Sequence, residues 1–232
     1  MLILAIETAT DHASVVALED GRELAAWREV THQDLCQRLA FEVRGVLATA
    51  GRGSGDIGLI AVGLGPGSFT SVRVGLATAK GFAFARGLPI VGVSSLEAMA
   101  WRQRGGLPGL VCPVLDAKRG ELYAAIFRQE ECRIERVAGE CVISAADLLT
   151  RLAGFGEPVA VIGEPDRLLP ADLKRLGDLM YPGATWPDAA GIADLGLRRY
   201  NAGGADDIGP LRPIYVRMSY AEESRKLDLG LR

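Results

Sequence analysis

The sequence predicts a two-lobed α/β fold in which mixed sheets carry helices and the second lobe is shortened. Stretches with strand and helix character follow one another in the first hundred residues, in the order three strands, helix, strand, helix, strand. An aperiodic glycine-containing stretch at 102–110 ends this series, and a shorter, altered version of it follows. We therefore place a first lobe at 1–104 and a second lobe at 105–232, and we expect the tail at 218–232 to pack back on the first lobe.

The first lobe opens with three strands that form a meander. Asp20-Gly21 is a turn signal between the second strand and the third. Gly51 and Gly87 each follow an apolar pattern of helical spacing and mark where the two long helices stop. The predicted elements are strands at 1–9, 13–18 and 23–29, a helix at 34–50, a strand at 57–64, a helix at 70–86, a strand at 89–93 and a short helix from Ser94 or Ser95 to Trp101.

The second lobe begins with a predicted hairpin. Its strands at 110–115 and 121–128 flank a turn at 117–120. The remaining predictions are a strand at 133–142, a capped helix at 144–152, a strand at 159–162, a glycine-rich linker at 201–210 and an end segment at 213–217 before a charged tail.

Composition excludes several classes of protein. With 232 residues, 49% of them apolar, the chain is long enough to bury a core without metals or disulfides. A net charge of -3 is unlike that of a protein that holds nucleic acid alone through a broad basic face. No run of about 18 apolar residues and no basic leader occurs, so we expect a cytoplasmic protein with no membrane contact.

Cysteine and histidine spacing predicts no metal site. The four cysteines, at 36, 112, 132 and 141, form no CxxC pair and are interpreted as reduced thiols. The two histidines, His12 and His32, form neither HExxH nor HxxxH, which removes the ligands of a metalloprotease.

The order of elements resembles one lobe of the actin, Hsp70 and sugar-kinase (ASKHA) superfamily, whose first strand usually ends in an Asp-x-Gly-Thr phosphate turn. Here the turn is Glu7-Thr8-Ala9-Thr10. A glycine loop at 65–70 opens the second long helix, but it fits neither GxxxxGK[ST] nor GxGxxG. Two interpretations stay open: a vestigial phosphate or nucleotide loop, or an acid and helix caps with purely structural roles. The residues concerned are Glu7, Thr8, Gly65, Gly67 and Ser68.

Two further features are open to a functional and to a structural interpretation. Gly75, Ala79 and Ala83 recur every four residues, which lets another backbone approach, either within the chain or from a helical partner protein. Lys118 and Arg119 lie at the predicted hairpin turn, where they either contact RNA or are simply solvated.

Five blocks in the same order resemble the bacterial TsaB (YeaZ) family and span nearly the whole chain. The glycine-loop block is the most specific of them. The blocks are LAIETAT (4–10), GPGSFTSVRVGLATAKG (65–81), VGVSSL (91–96), DAKRGELY (116–123) and PIYVR (213–217).

This resemblance implies a non-catalytic subunit of the machinery that places threonylcarbamoyl on N6 of adenosine 37 in tRNAs reading codons that begin with A. In that family the chemistry belongs to a paralogous partner, TsaD, which carries an HxxxH metal site that this chain lacks. An ATPase, TsaE, joins the assembly, tRNA is reached through the complex, and the subunit alone tends to form a homodimer. No cofactor is implied for the isolated chain, and ATP or ADP only for the assembled complex.

The resemblance also implies that the two N-terminal helices bind TsaD in a helical bundle. Carried over to this sequence, the interface comprises Leu35, Leu39, Val43, Val46, Leu47, Phe69, Val72, Arg73, Leu76, Ala79 and Lys80. Two alternative functions are kept: an ATP-dependent ATPase or phosphotransferase that uses the Glu7 turn, and a peptidase of the glycoprotease-like family.

Overall fold

Two five-stranded mixed sheets form the centres of two lobes. The structure, a computed structural model, describes residues 1–31, 34–104, 109–130, 133–164, 179–180 and 185–217. His32, Cys132, the tail at 218–232 and part of the expected lobe boundary lie outside these residues. The predicted two-lobed α/β architecture with mixed sheets is confirmed.

The first sheet has the strand order β3-β2-β1-β4-β5. Strands β1, β2 and β3 are antiparallel neighbours, whereas β4 and β5 add to β1 in parallel. Asp20 and Gly21 both have positive φ at the predicted turn between β2 and β3. The strands are β1 (Leu2–Glu7), β2 (His12–Glu19), β3 (Arg22–Val30), β4 (Ile57–Gly63) and β5 (Ile90–Val93).

The second sheet repeats this pattern. Its order, β10-β9-β6-β7-β8, again joins three antiparallel strands to two parallel ones, so the second half is an altered copy of the first. The strands are β6 (Gly109–Lys118), β7 (Glu121–Glu130), β8 (Arg133–Ser144), β9 (Val159–Gly163) and β10 (Leu179–Met180), of which the sequence analysis did not predict β10.

Five helices in the described part of the chain cover the sheets. Helices α1 and α2 cover one face of the first sheet, and α5 covers the other. Helix α3 lies between the lobes, since its apolar residues enter both the α5 core and the core of the second sheet. The helices are α1 (Leu35–Thr49), α2 (Phe69–Arg86), α3 (Ser95–Arg102), α4 (Ala145–Ala153) and α5 (Ala189–Gly203). None of these described helices has the length and apolar character needed to cross a bilayer.

Helix α5 was not predicted from the sequence. No helix was assigned at Ala189–Gly203, and a linker was placed at 201–210. A Cβ at Gly196 would stand 2.7 Å from the Cβ of Ala61, and one at Gly191 would stand 2.9 Å from the carbonyl oxygen of Ala98. Small residues therefore let α5 lie directly on the first sheet and on α3. Such a helix is buried almost all round its first turns, so its apolar periodicity is weak. By contact it belongs to the first lobe, although it follows the second sheet in sequence.

The small residues of α2 do serve a close approach, and the contact is internal. A Cβ at Gly75 would lie 2.2 Å from Oγ1 of Thr8, in the turn after β1. The same Thr8 hydroxyl donates to the carbonyl oxygen of Ser71 at 2.8 Å. Gly81, on the same helix, faces open space. Gly75 is thus required by packing against the β1 turn, whereas Gly81 is not.

These two glycines give a matched test of the packing. Gly75→Ala destabilises the fold by about 1–3 kcal/mol, because the added methyl group overlaps Thr8. Gly81→Ala stabilises it by about 0.5–1 kcal/mol, because alanine is the better helix former and nothing opposes its methyl group. Urea unfolding of the two variants checks this. Equal effects of the two substitutions would contradict the proposed contact with Thr8.

Candidate functional site

The apolar stripe of α1 that the sequence analysis assigned to a partner interface lies inside the chain's own core. Leu39 and Val43 are fully buried against the first sheet. A charged residue at position 39 would therefore destabilise the first lobe, and a resulting loss of partner binding would say nothing about an interface. The interface prediction is corrected for all the stripe residues, Leu35, Leu39, Val43, Val46 and Leu47, because each is buried within this chain.

The predicted interface residues of α2 divide into two groups. Val72, Leu76 and Ala79 are buried against the sheet, so the same correction applies to them. Phe69 and Arg73 are exposed but contact Tyr215 of the C-terminal segment. Lys80 donates to the carbonyl oxygen of Gly209 at 3.3 Å.

Two phenylalanines that the sequence analysis did not select form the exposed apolar surface of these helices. Phe41 on α1 is 69% exposed and Phe84 on α2 is 83% exposed. Small residues accompany them on the solvent side, Ala40 and Gly45 on α1 and Ala77 and Gly81 on α2. We call this set, Ala40, Phe41, Gly45, Ala77, Gly81 and Phe84, the outer face. The sequence does carry a signal for this surface, because Phe41 and Phe84 lie outside the buried stripes of their helices.

Glu7 is fully buried at the end of β1, in a cradle made by the neighbouring loops. Its Oε1 accepts from the backbone N–H of Ala9 at 2.6 Å, and its Oε2 accepts from the Ser95 hydroxyl at 2.7 Å. The backbone of Gly63 makes the room, since a Cβ there would lie 2.2 Å from Oε2. The carboxyl group therefore joins β1, the end of β4 and the start of α3.

Burial raises the pKa of Glu7 to about 7, against the hydrogen bonds from Ser95 and from the backbone of Ala9 and Thr8, which lower it. Near neutral pH the group is therefore poised between a neutral acid and a carboxylate. A shifted carboxyl group is often a sign of catalysis. Here both carboxyl oxygens accept hydrogen bonds from neighbouring loops, so the geometry is that of a buried structural residue.

The glycine loop closes on the turn after β1. The N–H of Ser68 donates to the carbonyl oxygen of Ala9 at 2.7 Å, and a Cβ at Gly67 would stand 2.1 Å from that same oxygen. Gly65 and Ser95 exchange two hydrogen bonds, at 2.8 and 3.2 Å. The backbone N–H groups of this loop therefore donate hydrogen bonds within the chain, whereas in a phosphate loop such groups would bind the ligand. Ser68 caps α2 and Ser94 caps α3, as the structural interpretation of these serines expected.

A cleft of about 1140 Å³ lies between the lobes. Its walls come from the glycine loop, the β6–β7 hairpin and the C-terminal segment at 213–217. His12 stacks on Trp186, which also lines the cleft, with the ring centroids 4.0 Å apart.

Lys118 and Arg119 do lie at the tip of the β6–β7 hairpin, and both are exposed. The side-chain Nζ of Lys118 lies 2.9 Å from Oδ2 of Asp116, and the backbone N–H of Lys118 donates to Oδ1 of Asp116 at 2.7 Å. The local acid therefore reduces the positive potential that the tip presents.

The described residues contain no group of three His, Cys, Asp or Glu side chains placed to hold a metal ion. Cys112 is buried, and burial raises the pKa of its thiol to about 12, which makes it a packed and unreactive side chain.

Comparisons with known proteins found relatives whose names refer to threonylcarbamoyladenosine in tRNA. A family model described as tRNA N6-adenosine threonylcarbamoyltransferase, TsaD, matches residues 29–162. The tRNA threonylcarbamoyladenosine biosynthesis protein TsaB of Escherichia coli is 31% identical over 95% of this chain and 96% of its own length. The protein of the same name from Bacillus subtilis is 30% identical over 96% of both chains.

Solved structures give the same result. YeaZ from Pseudomonas aeruginosa superimposes with a TM-score of 0.76 at 26% identity, over 92% of this chain and 99% of the other. A ROK hexokinase from Thermus thermophilus shares the fold alone, with a TM-score of 0.54 at 11% identity, over 88% of this chain and all of the other. The chain therefore has the two-lobed fold of the actin-like ASKHA type. By its sequence it belongs to the TsaB (YeaZ) family.

The buried Glu7 carboxyl group predicts a pH dependence of stability. Its pKa is about 7 in the folded chain and 4.5 in the unfolded chain, so the folded state holds the extra proton between these values. The stability that Glu7 contributes is therefore fully present below pH 4.5 and is lost as the pH rises through about 7.

Glu7→Gln tests this dependence because it is neutral at every pH. We expect the unfolding free energy of the wild type, relative to that of the variant, to fall by about 2–3 kcal/mol between about pH 5 and about pH 8. Urea unfolding at several pH values measures the difference. A difference that stays constant over this range would show that Glu7 keeps an ordinary pKa.

Proposed function

We propose that this chain is a non-catalytic subunit required for threonylcarbamoyl transfer to N6 of adenosine 37 of tRNAs reading codons that begin with A, and that it acts by binding and activating a TsaD-type transferase. The names of the Escherichia coli and Bacillus subtilis relatives support the pathway. The outer face of α1 and α2 carries the proposal of partner binding.

The outer face has the character of a docking surface. Two exposed phenylalanines, Phe41 and Phe84, lie on adjacent helices whose opposite sides are anchored in the first core. Aromatic side chains are enriched among the residues that dominate binding energy at interfaces. Ala40, Gly45, Ala77 and Gly81 leave room for partner helices to approach closely. The buried stripe residues act here by holding the two helices in place.

The hydrogen-bonded enclosure of Glu7 supports the proposal that this subunit has no catalytic activity of its own. The group that would replace the superfamily's phosphate-turn acid is turned inward, and the N–H of Ser68 is bonded to Ala9. We propose that the isolated chain needs no cofactor and that any ATP or ADP belongs to the assembled complex. A TsaE-type ATPase completes that complex, tRNA reaches this chain through it, and the free chain pairs with itself through the outer face.

Replacing Phe84 or Phe41 by Asp tests the docking surface. Both positions are exposed, so the variants fold like the wild type, but each places a charge in the desolvated seam. We expect the affinity for a TsaD-type partner to fall roughly 30-fold or more, in line with about 2 kcal/mol or more for an aromatic hot spot.

Val137→Asp is the control, since Val137 is an apolar residue that is 41% exposed and lies on the second sheet rather than on these helices. Binding is measured by co-elution and titration calorimetry, with circular dichroism as the check of folding. Full affinity in both phenylalanine variants would place the interface elsewhere.

Reconstitution tests the function itself. Unmodified tRNA is incubated with purified transferase, ATPase and adenylate-forming enzyme, with this chain present, omitted or replacing the transferase. We expect product only when this chain and the transferase are both present. Product with this chain in place of the transferase would make it a catalyst and would contradict the proposed non-catalytic role. Saturable ATP binding by the isolated chain that is lost in Glu7→Ala would favour the ATP-dependent alternative. Product without this chain would remove the proposed role, and peptide cleavage by the purified chain would favour the peptidase alternative.

A further inference from the structure

The C-terminal segment at 213–217, which we call the strap, runs from the first lobe to the hairpin of the second. At its start the N–H of Ile214 donates to the carbonyl oxygen of Leu64 at 2.8 Å, just before the glycine loop. The side chains of Leu211 and Ile214 pack against the core of the first sheet. The strap is therefore anchored on the first lobe.

In its middle the strap is fastened to α2. Arg73 Nε donates to the hydroxyl of Tyr215 at 2.9 Å. The Arg73 guanidinium also lies over the ring of Phe69, 3.6 Å from its centroid, and the rings of Phe69 and Tyr215 are 5.7 Å apart. A cation held between two aromatic rings and a hydroxyl acceptor fixes the direction of the strap as it leaves the first lobe.

At its end the strap holds the base of the hairpin tip. Arg217 Nη1 donates to the carbonyl oxygen of Ala117 at 3.1 Å, and its guanidinium forms an ion pair with Glu121. These two partners lie on either side of the tip, at the end of β6 and the start of β7. One side chain thus ties the two strands together at the point where they diverge.

The tip needs such support because its backbone is strained. Lys118 and Arg119 have φ values of 64° and 57°, and Gly120 follows with 77°. Residues other than glycine rarely adopt this left-handed region, and they persist there only where the surroundings impose it. Asp116 supports the tip from within, through its bond to the Lys118 N–H. Arg217 supports the tip from outside the hairpin.

We propose that the strap couples helix α2 to the basic hairpin tip, with Arg217 as the positioning residue for Lys118 and Arg119. Loss of the Arg73–Tyr215 clasp frees the strap, Arg217 releases Ala117 and Glu121, and the tip leaves its left-handed conformation. The state of α2 is thereby transmitted to a hairpin that Arg73 does not itself touch. This coupling is a property of the single chain and does not depend on the proposed function.

Amide hydrogen exchange of the isolated full-length chain, followed residue by residue by NMR, tests the proposal. The reporter is the N–H of Lys118, and the N–H groups of Ala124 and Ile126 inside β7 report on global opening. In Arg217→Ala we expect exchange at Lys118 to accelerate tenfold or more, with Ala124 and Ile126 unchanged within about twofold. Arg217→Lys keeps the charge without the fork of donors, and we expect a smaller acceleration.

The remote variant separates coupling from simple support. Arg73→Ala removes the clasp on α2 without touching the hairpin, and we expect Lys118 to exchange at least threefold faster. Arg212→Ala, an exposed arginine one residue before the strap, is the matched control and leaves exchange unchanged within about twofold.

Three results would each overturn the proposal. The first is an unchanged Lys118 rate in Arg217→Ala, and the second is an equal acceleration of Lys118, Ala124 and Ile126, which would mean general destabilisation. The third is an unchanged rate in Arg73→Ala, which would reduce Arg217 to a local brace with no link to α2.

Discussion

The structure depends on the close approach of the turn after β1 to the glycine loop and α2. No side chain fits at Gly67 or Gly75, because the backbone of Ala9 and the hydroxyl of Thr8 occupy that space. Glu7 completes the contact by accepting hydrogen bonds from Ala9 and from Ser95 at the start of α3. This closure fixes the N-terminus of α2, and with it the direction in which the rest of the helix runs.

The same closure explains why a fold shared with sugar kinases carries a different kind of site. The turn and the glycine loop bind each other, so the acid that remains at the turn serves the packing of the chain. The proposed binding surface of the first lobe lies instead on the outer side of α1 and α2, where Phe41 and Phe84 face solvent. Helices held rigidly from beneath are well suited to present such a surface, because little conformational entropy is lost on binding.

The sequence predicted most elements because their signals are local, such as Asp20-Gly21 in a positive-φ turn and Gly87 in the left-handed cap of α2. It failed for α5, where Gly191 and Gly196 serve close packing and weaken the amphipathic pattern. At the candidate site it assigned to a partner the faces of α1 and α2 that the structure buries in the chain's own core. Periodicity marks the side of a helix that meets apolar surroundings, but it does not say whether the chain itself or another protein provides them.

The most direct test of this account is amide hydrogen exchange of the full chain with and without a purified TsaD-type partner. We expect protection on binding to be concentrated in Leu35–Thr49 and Phe69–Arg86, the two helices that carry the outer face. Protection confined to the cleft or to the second sheet, with both helices unchanged, would contradict it.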